Sequence, residues 1–291
     1  MLHRSDIRLY VIIPVYENWE DTLECLRMLQ AQSSMQFQVI VADDGSPSPP
    51  PEPIHGFAFA EYTRNSNRGF AANCNAAAGD AIARGATHLL FLNNDTSFSF
   101  GFIECWLRTV AAMPDAVLSP IVYWFDKPSE VWYSGGDLTI WIPFFKLRRE
   151  YRELTEVDIV SGCALLAPAD HWRRLGGFDQ RYRMYFEDVD FSLRAKAMGG
   201  RAYIVPDNDL KVRHKVSGSF RCAGTWRQQY LMISSRLIFI RTHYHGLKKC
   251  ICLGLSCVHL AAILVLSLPE FPKARLLWRS IVDGFTVKTA S

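Results

Sequence analysis

His88-Leu-Leu-Phe-Leu-Asn-Asn-Asp-Thr96 sets an apolar run against three short polar side chains. His88–Leu92 reads as a buried strand, and Asn93, Asn94 and Asp95 bring it to a stop at the surface. In open α/β sheets, ligands bind beyond the carboxyl ends of the strands. A carboxylate placed there suits a hard cation, which takes one or two carboxylates and completes its shell with phosphates. The same run also fits a plain strand followed by an Asn/Asp turn, so its neighbours have to decide.

Upstream, Leu9–Pro14 reads as a strand. A helix follows from an Asp21 N-cap to about Gln32, with Leu23, Cys25, Leu26 and Leu29 on its inner side. Gln38–Ala42 is a second strand, Asp43-Asp44-Gly45-Ser46 a turn, and Pro47–Pro53 a loop without regular structure. Phe57–Tyr62 is a short third strand. Gly69 opens an Ala-rich helix to about Arg84, ended by Gly85. A further helix runs from about Gly101 to Met113. This alternation predicts a mainly parallel sheet with helices on both faces. Right-handed crossovers then bring Pro14-Val15-Tyr16, Asp43-Asp44 and Asn93–Asp95 to one edge. Three loops from separate parts of the chain would line one crevice.

Downstream, Val117–Tyr123 and Val157–Ala167 read as strands on either side of Trp132–Phe145, a stretch rich in aromatics and glycine. Asp170–Leu175 is a short helix stopped by Gly176-Gly177. Glu187-Asp188 begins a helix to Met198, and Arg201–Pro206 is one more strand. Acidic residues suit a helix N-terminus for electrostatic reasons alone.

The chain has 291 residues, 49% of them hydrophobic, enough for one substantial domain or a domain with a tail. A net charge of +3 gives no case for nucleic acid as a partner. Positive charge gathers locally at Lys146–Arg149, Arg173-Arg174 and Arg241–Lys249, either as solvated faces or as contacts for phosphate, sugar polymer or membrane. The eight cysteines form neither a Cys-x-x-Cys pair nor a zinc pattern, which favours a reduced, cytoplasmic setting. Met1–Arg8 lacks the apolar core of a signal peptide. Cys250–Leu268 is almost wholly apolar apart from His259 and follows Lys248-Lys249. It either spans a membrane, lies in its interface or packs as a buried terminal helix, and its basic flank suits the cytoplasmic side.

Five motifs occur in one order: Val11-Ile-Ile-Pro-Val-Tyr16, Val39-Ile-Val-Ala-Asp-Asp-Gly-Ser46, Asn67-Arg-Gly-Phe-Ala-Ala-Asn73, Leu92-Asn-Asn-Asp-Thr96, and Gly176-Gly-Phe-Asp179 with Tyr185-Phe-Glu-Asp-Val-Asp190. Together they resemble the family-2 inverting glycosyltransferases of the GT-A fold, nearest to the rhamnosyltransferase-like branch that builds bacterial surface polysaccharides. The resemblance covers about residues 7 to 245. It implies a Rossmann-like nucleotide-diphospho-sugar transferase domain over 1–245; the composition of the remainder, 246–291, reads as a hydrophobic and basic helical tail associated with the inner face of the cell membrane. It also implies Mg²⁺ or Mn²⁺, a dTDP-, UDP- or GDP-linked sugar as donor, and a glycan or lipid-linked glycan as acceptor.

By that resemblance Pro14, Val15 and Tyr16 would frame the nucleobase, and Asp43 would accept its ring N–H, or else act only as a turn residue. Asp44 would be a turn residue or a ribose contact. Asn67, Arg68 and Gly69 would lie near the nucleotide, with Gly69 letting backbone approach the ligand; Arg68 fits a diphosphate contact or an ordinary surface position. Asp95 would bind the metal, with His214 near the diphosphate or metal. The family's Asp-x-Asp appears as Asn93-Asn94-Asp95, where an amide replaces the first acid and brings no charge. The cation would neutralise the departing nucleoside diphosphate. Asp188 would take the proton from the acceptor hydroxyl, with Glu187 as supporter or substitute, and Asp190 would face elsewhere on the helix. Asp179 would be structural or orient the acceptor. Trp132, Tyr133 and Trp141 would stack on sugar rings or pack in the core, with Gly135 and Gly136 in the tight turn beside them.

Two other readings compete. A binding protein on the same fold, without turnover, would explain Asn93 but not the retained Asp95 and Asp188. A nicotinamide-dependent oxidoreductase would want Gly-x-Gly-x-x-Gly after the first strand, where this chain has Pro14-Val-Tyr-Glu-Asn. A glycoside hydrolase also uses two carboxylates but leaves the converging loops unexplained.

Overall fold

A computed structural model describes residues 3–138, 150–215, 225–267 and 271–287. Trp141 and Lys146–Arg149 lie outside the described residues. The main sheet has eight strands in the order β3 (Ala60–Arg64), β2 (Phe37–Asp43), β1 (Leu9–Val15), β4 (His88–Leu92), β10 (Ala164–Pro168), β6 (Ala116–Pro120), β11 (Arg201–Val205) and β9 (Thr155–Val157). All are parallel except β10 and β9. A smaller sheet takes β5 (Thr96–Ser97), β12 (Val212–His214), β7 (Val122–Trp124) and β8 (Val131–Tyr133).

Successive residues of the central strands feed opposite cores, as a period of two requires. Val11, Ile13, Leu90 and Leu92 pack with Leu26 of α1 (Trp19–Gln30) and Trp106 of α3 (Phe102–Ala112). Ile12, Leu89 and Phe91 pack with α2 (Phe70–Ala83) and with Trp172 of α4 (Ala169–Leu175). Burial on both faces is why these strands read as unbroken apolar runs. The face of α2 toward the sheet is Ala71, Cys74, Ala77, Ala78 and Ala81, small enough for close approach.

Five elements differ from expectation. Asn18, in a left-handed conformation, precedes α1, and Asp21 lies inside the first turn, where it accepts from Asn18 Nδ2 at 2.6 Å. The third strand is Ala60–Arg64, and the proline loop contains a 3₁₀ turn at Glu52–Gly56. Val117–Tyr123 is two strands: Pro120, which has no N–H to donate, ends β6, and from Val122 the chain pairs in the smaller sheet. Val157–Ala167 also divides. β9 is an edge strand, β10 lies between β4 and β6, and the intervening loop reads as strand because Ile159 and Val160 are fully buried.

The C-terminal region is three helices: α6 (Thr225–His243), α7 (Gly246–Ser267) and α8 (Phe271–Thr286). Arg241 of α6 donates to the carbonyls of Gly284 and Val287 at 2.8 and 2.9 Å, and Tyr230 bonds Asp283. A Cβ on Gly284 would come within 2.8 Å of Leu237, so glycine sets that close crossing. Among the described residues no helix is long and apolar enough to cross a membrane.

Candidate active site

β1 and β2 end in register, Val15 opposite Asp43. Pro14 and Val15 are buried within the strand, and Tyr16, half-buried, lies just beyond it. Glu17 and Asn18 follow, both at φ 58°, and Glu17 N donates to Ser46 Oγ at 2.7 Å, joining the two strand-end loops. Asp43 is fully buried. Its Oδ1 accepts from Ser46 N at 2.8 Å and Oγ at 2.5 Å, and its Oδ2 from the Tyr62 hydroxyl at 2.8 Å. The turn-forming reading of Asp43 is therefore visible in its contacts, and a nucleobase N–H would have to share these oxygens. Asp44 clamps the next loop, accepting from the backbone N–H groups of Arg68 and Gly69 at 2.8 Å each. Burial raises its pKa, and those two hydrogen bonds oppose the rise.

Asn67 is left-handed at φ 50°, and the Arg68 guanidinium donates to Gln180 at 3.3 Å. Gly69 has φ 98°, and a Cβ there would sit 2.8 Å from the carbonyl oxygen of Arg183. This glycine permits a close approach to the loop before α5 (Glu187–Ala197).

At the end of β4 the three polar residues diverge. Asn94 is buried and donates to Thr22 Oγ1 at 2.8 Å and Asn18 O at 3.3 Å, so its amide holds α1. Asp95 meets His214 instead, Oδ1 to Nε2 at 2.9 Å, and Asn93 Nδ2 lies 3.3 Å from the same nitrogen. His214 arrives on β12, opposite Thr96 of β5. Lys215 N donates to Asp95 O at 3.0 Å while its ammonium pairs with Asp21. Burial works against a charged His214, but Cys163 and Asp95 beside it outweigh burial, and its pKa is pushed up to about 10.

Asp95 and His214 are the residues that would hold a hard divalent cation. His214 Nδ1 is buried without a hydrogen-bond partner, and no trio of His, Cys, Asp or Glu among the described residues gathers as a metal site. A site with one carboxylate and one imidazole leaves most of the shell to water and phosphate oxygens, as Mg²⁺ and Mn²⁺ centres often do.

The carboxyls that begin α5 follow two non-glycine residues at positive φ, Tyr185 at 70° and Phe186 at 69°. Such residues cost about 1–3 kcal/mol each. Asp188 Oδ2 accepts from Gly162 N at 2.8 Å, and its Oδ1 from Val189 N at 2.8 Å. Glu187 is buried, and its Oε2 has no hydrogen-bond partner. Burial raises the pKa of Asp188; burial and then the charge of Asp188 hold Glu187 well above the carboxylate range.

One loop joins the two clusters. Gly162 donates to Asp188, and the next residue, Cys163, accepts from Asn93 N at 2.9 Å. Strand β8 bridges them as well. The Trp132 ring lies 4.4 Å from the His214 ring, and Tyr133, its pKa raised by burial and by Asp188, stands on the carboxyl side. Gly135 and Gly136 close this wall, with Gly136 exchanging backbone hydrogen bonds with Ile159 at 3.0 Å in both directions. Asp179 is clipped by Arg181. Burial alone would raise its pKa, but the Arg181 guanidinium and N–H hold it low. Asp190 turns away from Asp188, as expected, toward Arg194 and His243.

Sequence reasoning missed Gly162, Cys163, Thr22, Tyr62 and the Asp21–Lys215 pair. None lies in a motif; each becomes relevant through pairing with a distant segment.

The model for glycosyl transferase family 2 matches residues 10–174. An uncharacterized protein of Mycobacterium tuberculosis is 33% identical over 129 residues, 42% of this chain and 45% of that protein. The N-acetylglucosaminyl-diphospho-decaprenol L-rhamnosyltransferase of M. tuberculosis is 27% identical over 172 residues, 51% of this chain and 55% of that one. The chain thus spans about half the length of the curated relatives it matches. A mannosyltransferase from Pyrobaculum calidifontis, solved with GDP-Man and Mn²⁺, superposes with a TM-score of 0.59 at 16% identity, over 97% of this chain and 88% of that one. That likeness places the chain in the GT-A fold.

Proposed function

The chain belongs to glycosyl transferase family 2, and on that premise we propose that it moves a sugar, rhamnose by its relatives, from a nucleoside-diphosphate donor to a hydroxyl of a growing surface glycan, with inversion. The observation that carries this reading is the short link between its two charged centres. Asp188 is bonded to Gly162, and Cys163 beside it is bonded to Asn93, two residues from Asp95. A base and a cation site tied to one loop suit a reaction that removes a proton on one side and releases an anion on the other.

In this reading Asp188 accepts the proton of the acceptor hydroxyl as that oxygen attacks the anomeric carbon. Glu187, close by and reluctant to ionise, keeps one negative charge rather than two at the site. Asp95 and His214 would hold Mg²⁺ or Mn²⁺, which would supply charge neutralisation for the departing diphosphate. Tyr16, Asn67 and Arg68 border the nucleotide, and Trp132 offers a ring face to a sugar. The acceptor in this reading is a lipid-linked glycan, in line with the diphospho-decaprenol named for the M. tuberculosis rhamnosyltransferase. Residues 1–245 carry the transfer chemistry and 246–291 keep it at the inner face of the cell membrane.

The test is release of nucleoside diphosphate from dTDP-rhamnose, UDP-sugars and GDP-sugars with either metal, for wild type, Asp95→Ala and Asp188→Asn. Release from one donor that requires both acids and metal supports the transferase and names its donor. Donor binding with no release under any acceptor favours a non-catalytic nucleotide-sugar-binding protein, and absence of binding to every donor overturns the proposal.

A further inference from the structure

The outer faces of α7 and α8 carry large apolar side chains where a surface helix ordinarily carries charge. On α7, Leu247, Ile251, Leu255 and Val258 recur at helical spacing, and Leu255 and Val258 are 57% and 71% exposed. On α8, Trp278, Val282 and Phe285 do the same, with Trp278 59% exposed. The opposite faces are the packed ones: Cys252, Leu260, Ala274 and Leu277 are buried. Both helices pack on α6 and on each other, so both stripes face away from α6. Soluble proteins rarely leave a contiguous apolar face of this kind uncovered.

Charge says what covers it. The described part of this region, 244–267 and 271–287, has five cationic residues, Lys248, Lys249, Lys273, Arg275 and Arg279, and one acid, Asp283. Asp283 is already engaged by Tyr230. An apolar stripe with tryptophan, bordered by lysine and arginine, matches the acyl boundary and anionic headgroups of a bilayer. The Lys248 ammonium lies 4.0 Å over the Tyr244 ring, which keeps a cation at the start of the α7 stripe. Since no described helix can cross a membrane, the helices would lie in the interface.

We infer that the α7–α8 face docks on an anionic lipid bilayer, with Leu255, Val258 and Trp278 entering the headgroup–acyl boundary. For its purpose this rests on the lipid-linked-acceptor reading. Its test uses no donor, so failure of the transferase assay and failure of docking are separate results.

The experiment is co-sedimentation of the full chain with vesicles of phosphatidylcholine alone and of phosphatidylcholine with phosphatidylglycerol. The expected result is binding to the anionic vesicles, weakened at least ~10-fold by Leu255→Glu with Val258→Glu, and separately by Trp278→Glu. Arg275→Glu with Arg279→Glu, exposed positions with no core role, should abolish the preference for anionic lipid. Circular dichroism and donor binding should remain as in wild type for each variant. Equal recovery of wild type and all variants with either vesicle overturns the inference. So does a dimer in light scattering that the same substitutions convert to monomer, since the face then meets a second copy of the chain.

Discussion

His243 Nε2 lies 2.8 Å from Asp190 Oδ1, and through that contact the C-terminal helix α6 grips the helix that begins with Glu187 and Asp188. Asp190 is fully buried and also holds Arg194 at 2.7 Å. Ser235 donates to Met184 O at 2.8 Å, and the Phe186 and Phe239 rings lie 5.3 Å apart, so α6 also supports the left-handed pair before the carboxyls.

Removing Asp190 leaves the half-buried Arg194 guanidinium with the carbonyls of Leu175 and Gly177 but without a counter-charge. Asp190→Ala should lower stability by about 3 kcal/mol, as for a broken buried pair, and His243→Ala by less, because Arg194 keeps its partner. Urea midpoints measured with equal m-values decide this; unchanged midpoints would count against the grip.

Asp188→Asn should reduce transfer by ~10²–10⁴-fold, the usual contribution of a positioned base, with donor affinity kept. The base works only when ionised, and burial raises its pKa. Wild-type kcat should therefore be full at high pH and fall as pH drops through a value raised above that of an ordinary aspartate. A rate flat down to about pH 4, the usual carboxylate value, would assign the proton to another group.

Glu187 connects that chemistry to stability. Its folded pKa is raised, so its contribution is fully present below the unfolded value of about 4.3 and lost as pH rises through the folded one. Glu187→Gln should equal wild type near pH 4 and exceed it by about 1–3 kcal/mol at pH 8, the range for an unsatisfied buried polar group. Denaturation midpoints in chelator at both pH values test it.

Asp95→Ala, or chelation of wild type, should lower activity at least ~100-fold, since a cation at a leaving phosphate supplies several kcal/mol. Added Mn²⁺ or Mg²⁺ should restore the chelated wild type and not the variant. Titration of either metal by calorimetry gives a readout independent of turnover.

Gly69→Ala places a methyl 2.8 Å from Arg183 O at a backbone angle of +98°. A loss of about 2 kcal/mol is expected, or a fall of ~3 °C in Tm for a chain of this size. Urea and thermal midpoints both unchanged from wild type would mean that the 183–186 loop yields freely.

The central sheet was legible because β1, β2 and β4 are buried on both faces and leave uninterrupted apolar runs bounded by turn residues. The smaller sheet was not. Thr96–Ser97 and Val212–His214 are two and three residues long, and their pairing depends on segments over a hundred positions apart. The same limit hid which of Asn93, Asn94 and Asp95 faces α1, because a turn has no fixed side-chain period. His214 could be singled out only by resemblance; its partner Asp95 is a fact of the two sheets meeting.

α8 has two sides with different constraints. Gly284 and Leu277 face inward, where Leu237 and Ile233 of α6 lie beneath them, while Trp278, Val282 and Phe285 face out. Cutting the chain near 247 to rid it of greasy sequence would uncover Leu237 and Ile233 and make the protein harder to keep in solution. Recoding the outer positions of an intact chain is the better preparation for crystallography, because it changes the surface and leaves the helix that supports Glu187 and Asp188 covered.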